Sequence, residues 1–134
     1  MSRKIILTGV IFGVTAIVFG AFGAHALKEI LTAEELVSFK TAVNYQMYHA
    51  FFLLIFGLLF LKFGGGLAKS IYLTCATGVL FFSGSIYFLV LSKHFGIESI
   101  PKFIGLITPI GGLLLVVSWI LLGVYALKQV TNDF

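Results

Sequence analysis

The chain has 134 residues, of which 60% are hydrophobic and 10% charged, with nine basic and five acidic side chains. Soluble domains are roughly 45–50% apolar and about 25% charged, so this inventory cannot supply the polar outer layer of a water-soluble fold. The outer layer is expected to be lipid, and the net charge of +4, dispersed over segment ends, lacks the basic stripe of a nucleic-acid binder. The lone Cys75 excludes an intrachain disulfide and a cysteine metal cluster.

Arg3 and Lys4 precede an apolar run over residues 5–24 that ends in Ala24, His25 and Ala26, a small-x-small pattern of the kind a signal peptidase reads. The run is 20 residues long, beyond the roughly 7–15 of a signal peptide's apolar region and matched to the ~20 that span a bilayer. It is expected to be the first spanning helix. The connection 25–44 carries Lys28, Glu29, Glu34, Glu35 and Lys40. Within it, Thr32 followed by Glu35 is a capping-box pattern, and Leu36, Phe39 and Val43 recur on one helical face. A short interfacial helix over 33–43 is expected at the membrane surface, running into the second span with a bend near Asn44.

Further spans are expected over 45–61, 71–91 and 103–127, each able to cross a hydrocarbon core of about 30 Å. Backbone groups in lipid must pair within their own segment, so each is a helix. The connection 62–70 is a triple-glycine turn between lysines, short enough to join only antiparallel neighbours. The expectation is an all-α membrane protein: one antiparallel four-transmembrane-helix bundle over 1–134.

Under alternate threading, Arg3, Lys4, Lys62, Lys69 and Lys128 face one side, and Lys28, Lys40, Lys93 and Lys102 the other. The positive-inside rule then favours both termini in the cytoplasm, with the glutamates outside.

Small residues recur along the first helix at Gly9, Gly13, Ala16, Gly20, Gly23 and Ala24, a stripe that lets another backbone approach closely, in this chain or a second copy. Polar groups gather toward one end of the bundle: His25, Asn44, Gln46, His49, Ser83, Ser85, Tyr87 and Thr108. Depth along antiparallel helices sets all of them within about 12 Å of one surface. They are expected to turn inward as one hydrogen-bonded cluster, because lipid offers no partners. Hydrogen bonding between helices is the plain reading of that cluster. A pocket for a lipid headgroup or small polar ligand is the second, and metal or haem ligation by His25, His49 and His94 the third. The sequence contains no zinc-protease motif and no acidic residue within a span. Serine hydrolysis by Ser83 or Ser85 with His49 would lack an orienting acid and a strained nucleophile turn. In the fourth span, Pro109 followed by Gly111 and Gly112 predicts a bend.

The motifs GAFGAHALK at 20–28, TAVNYQMYHA at 41–50, FSGSIY at 82–87 and TPIGG at 108–112, with Trp119 downstream, resemble the family of domain of unknown function 423, called transmembrane protein 256 in animals. The match runs in order over nearly the whole chain. One departure is Ser118, where the family tends to have glycine. The resemblance implies a small multi-pass protein of bacterial cell membranes or animal organelle membranes, without catalytic residues to carry over.

Three functions are weighed on this basis. The leading one is a non-enzymatic, cofactor-free protein of the cell membrane acting through membrane lipids, another membrane protein or a second copy of itself. A small channel or carrier with a polar pocket near the external face is the alternative. A metal- or haem-binding membrane protein is third.

Overall fold

The computed structural model describes residues 1–63, 66–97 and 99–132, and it is all helix apart from short connections. Four helices carry the fold: α1 (Ser2–Ala24), α2 (Ala33–Phe63), α3 (Ala68–Ser92) and α4 (Ile104–Asn132). Each is long and apolar enough to cross a membrane. Single 3-10 turns at Leu27–Glu29 and Lys93–Phe95 follow α1 and α3. Of the triple-glycine turn, Gly64 and Gly65 lie outside the described residues.

The helix ends follow from local chemistry. The Glu35 carboxylate accepts the Thr32 backbone N–H at 3.1 Å, and the Thr32 hydroxyl accepts the Glu35 N–H at 3.2 Å. This reciprocal pair is the capping box read from the sequence, and it starts α2. Beyond α3, Gly96 takes a left-handed φ of 76°, and the Ile97 N–H closes on the Ser92 carbonyl at 3.1 Å, satisfying an orphan acceptor.

Residues 33–43 and 45–61, read as a surface helix and a span, form one uninterrupted helix of 31 residues. At 1.5 Å per residue it is about 46 Å long, some 16 Å more than a hydrocarbon core. Glu34, Glu35 and Lys40 lie in its first turns and Lys62 next to its far end, so most of the excess length belongs at the first end. α4 likewise continues through Pro109 without a break.

The helices run up and down as two tight hairpins, α1–α2 and α3–α4, with α2 and α3 joining them. Small residues set the hairpin seams. A Cβ on Gly9 would stand 3.0 Å from the Ala50 carbonyl oxygen, and one on Gly23 would stand 3.1 Å from the Phe39 ring. Ala16 is buried. Gly13 and Gly20 meet Ala50 and Val43 at ordinary contact distance. Ala24 is exposed and drops out of the stripe, because α1 ends there and the chain turns away. The α3–α4 seam is tighter: a Cβ on Gly111 would run into the backbone of Phe81 and Phe82, and one on Gly78 into Leu115.

Two apolar cores result. The larger, around Ile5, Leu53, Phe56, Ile71 and Cys75, fills the half nearer the termini, and the smaller packs Leu31, Phe39 and Val90 at the other end. The large apolar side chains on the outer faces are exposed on every helix, as lipid contact requires.

Candidate functional site

Of the buried polar side chains, Gln46, His49, Ser83 and Ser85 lie on the middle stretches of α2 and α3. Gln46 is the hub. Its amide nitrogen donates to the Phe12 carbonyl at 2.9 Å and to the Thr15 hydroxyl at 2.6 Å. Its amide oxygen accepts the Tyr87 hydroxyl at 2.9 Å. One side chain thus ties α1, α2 and α3. The Tyr87 ring packs edge-on against Phe19, with centroids 4.8 Å apart, and tilted against Phe39 at 5.1 Å.

Three further links stand apart from this hub. The Ser83 hydroxyl donates to the Ala42 carbonyl at 2.7 Å, tying α3 to α2. Ser85 and Thr108 share a hydrogen bond of 2.6 Å between α3 and α4. His49 bridges α2 and α4: Nδ1 donates to the Tyr45 carbonyl at 2.7 Å, so Nε2 carries the lone pair that accepts the Trp119 indole N–H at 3.2 Å. Partners therefore assign the tautomer. Among the described residues, no buried side-chain nitrogen or oxygen lacks a hydrogen-bond partner.

The expected single cluster is thus corrected to one hub and three separate links, for a rotational reason. Successive helical residues turn by about 100°, so positions two apart face opposite ways. Gln46 points inward, and Asn44 is accordingly exposed on the outer side of α2. Ser83 and Tyr87, four apart, both face α2, whereas Ser85 between them faces α4. His25 lies past the end of α1 and is exposed. Among the described residues, neither His25 nor Asn44 makes a side-chain hydrogen bond.

The three histidines do not meet. His49 is engaged with Trp119, His94 lies 3.0 Å from Glu35, and His25 joins neither. No group of three potential metal ligands exists among the described residues. Neither Ser83 nor Ser85 is bonded to His49, so no nucleophile–base pair forms there.

Thr15, Trp119 and Ser118 also take part, although little in the sequence marks them. Thr15 looks like an isolated hydroxyl in an apolar helix. Trp119 is too deep to meet His49 if α2 is started at residue 45. Counted from the observed starts at Ala33 and Ile104, the two are 16 and 15 residues along their helices and lie at one level. Ser118 is fully buried, and its hydroxyl folds back on the Leu115 carbonyl at 2.7 Å. The departure from glycine is accommodated within its own helix.

Outside the spans, Glu35 gathers the far end of the bundle, accepting from Thr32 and facing His94 at 3.0 Å and Lys93 at 3.6 Å. The Thr32 backbone N–H, then the His94 hydrogen bond, hold its carboxyl below the usual carboxylate range.

Residues 19–112 match the family model described as protein of unknown function DUF423. A UPF0382 membrane protein of Staphylococcus epidermidis is 36% identical over 94% of this chain and 97% of its own length. The UPF0382 membrane protein YwdK of Bacillus subtilis is 35% identical, covering 94% and 98%. One from Haemophilus influenzae is 33% identical, covering 96% and 98%. No solved structure matches the chain. With four apolar spans and relatives of this coverage, the chain is a multi-pass membrane protein and belongs to the DUF423 family.

Proposed function

We propose that the protein is a non-enzymatic component of the cell membrane that works through contacts with lipids, another membrane protein or a second copy of itself. The observation that supports this is how its polar groups are used. Gln46, His49, Ser83, Ser85, Tyr87 and Thr108 each spend their hydrogen bonds on holding helices together. In the half nearer the termini, Ile5, Leu53, Phe56 and Ile71 are completely buried against one another, a plug that a monomeric pore would have to hydrate. The channel reading is weaker for that reason.

Co-purification in mild detergent tests the proposal. Reproducible recovery of specific lipids or a membrane protein is the expected result, and repeated recovery of a bare monomer contradicts it.

We place both termini in the cytoplasm, supported by the five basic residues on that side against four on the other. With Cys75 replaced, a cysteine introduced at Glu34 should react with an impermeant reagent outside intact cells, and one at Gly66 should not. The opposite labelling inverts the orientation.

A further inference from the structure

The two hairpins do not close completely around Gln46. Between α1 and α3 a lateral groove of about 300 Å³ remains, walled by Ile11, Phe12 and Phe19 on one side and Leu80, Gly84 and Tyr87 on the other. We propose that this groove is a binding site for one lipid acyl chain. The proposal deepens the lipid-contact reading above and rests on it.

Chemistry narrows the occupant first. The polar atoms nearest the groove, on Thr15, Gln46 and Tyr87, are bonded to one another, and Gln46 also to the Phe12 carbonyl. What the groove offers is therefore apolar side-chain surface. A water needs two to four polar partners, which such walls do not provide. An empty groove would forfeit the dispersion contacts of its lining.

Size narrows it again. Residues 11–19 rise about 12 Å along α1, and a helix of that length and about 10 Å in diameter occupies roughly 900 Å³. The groove holds a third of that, so it accepts an extended hydrocarbon chain rather than a neighbouring helix. Its position midway along α1 places it at hydrocarbon depth, where acyl chains are the surrounding solvent.

Gly84 forms part of the groove wall. Glycine is the poorest helix former after proline, and Gly78 and Gly111 offset that through the close approach of α3 and α4. A Cβ on Gly84 would meet no atom of the protein within 4 Å. The space that Gly84 keeps open lies in the groove.

Native mass spectrometry of protein extracted in mild detergent tests this with Gly84→Leu and, as control, Gly123→Leu, which also enters open space but lies outside the groove. Wild type and Gly123→Leu are expected to carry one phospholipid per chain. Gly84→Leu should lose it at least about tenfold, because the new side chain occupies the dispersion contacts. It should melt no lower than wild type, which separates displacement from misfolding. Retention of the lipid by Gly84→Leu, equal loss from both variants, or a wild-type dimer without lipid that Gly84→Leu dissolves would each overturn the proposal. If other lipids or a protein still co-purify, the groove fails while the broader reading stands. If nothing co-purifies with wild type, both fail.

Discussion

The seams within the two hairpins and the seam between them are built on different chemistry. Within α1–α2 and α3–α4, Gly9, Gly23, Gly78 and Gly111 bring each helix close to its neighbour, so that shape does most of the holding, with Gln46 to Thr15 and Ser85 to Thr108 as the polar links. Between the hairpins, polar side chains reach across: Gln46 to Tyr87, Ser83 to Ala42, His49 to Trp119, Thr8 to Tyr72 and Glu35 to His94. The difference follows from the solvent. Lipid gives helices no hydrophobic reason to associate, so contact comes either from close packing or from polar groups that have nowhere else to turn. A polar residue in such a chain marks a neighbour before it marks a site.

Breaking a hairpin seam should cost the most. Gly111→Ala places a methyl group in the backbone of Phe81 and Phe82, so α4 must lift off α3. The expected loss is about 3 kcal/mol or more, read by denaturant titration of the protein in micelles. Retention of wild-type stability would show that the seam yields.

Gln46→Leu is the next test, because it strands the Tyr87 hydroxyl, while Thr15 keeps its bonds to the Ile11 and Phe12 carbonyls. A loss of about 1–3 kcal/mol is expected from leaving such a group unpaired, with α1 nearer α3 in cross-linking only if the hub collapses. A neutral result would place that hydroxyl in contact with water.

Trp119→Phe removes one hydrogen bond between the hairpins and keeps most of the ring contact with Phe52, whose centroid is 4.8 Å away. The expected loss is about 0.6 kcal/mol. The nitrogen resonances of His49 should show Nδ1 protonated and Nε2 bare in the wild type, and Nε2 should move in the variant.

The smallest effect belongs to Glu35 at the aqueous end. Its carboxyl is held below the ordinary range when folded, so its stabilisation is present above that range and fades as pH falls through the folded value. Acid titration of stability should therefore be shallower in Glu35→Gln. Identical slopes would remove Glu35 from the seam.

Four spans were legible in the sequence because backbone pairing and bilayer thickness leave few alternatives for four long apolar runs. The capping box at Thr32 and Glu35 was legible for the same local reason. What the pattern could not fix was rotation about each axis. Depth grouped His25, Asn44, Gln46 and His49, yet the 200° between Asn44 and Gln46 sent one outward and the other into the hub. Length mattered too: starting α2 at Tyr45 rather than Ala33 hid the common level of His49 and Trp119. The α1 stripe was visible as repeated small residues, whereas the tighter Gly78 and Gly111 contacts depend on which faces of α3 and α4 meet.

That the polar side chains bind the hairpins to each other is tested most directly by a double-mutant cycle on Gln46→Leu and Tyr87→Phe, measured by reversible unfolding in bilayer-mimetic micelles. The two groups are 2.9 Å apart, and a favourable coupling of about 0.6 kcal/mol, rising toward ~1.7 for a well-buried pair, is the predicted result. Strict additivity of the two substitutions would contradict it.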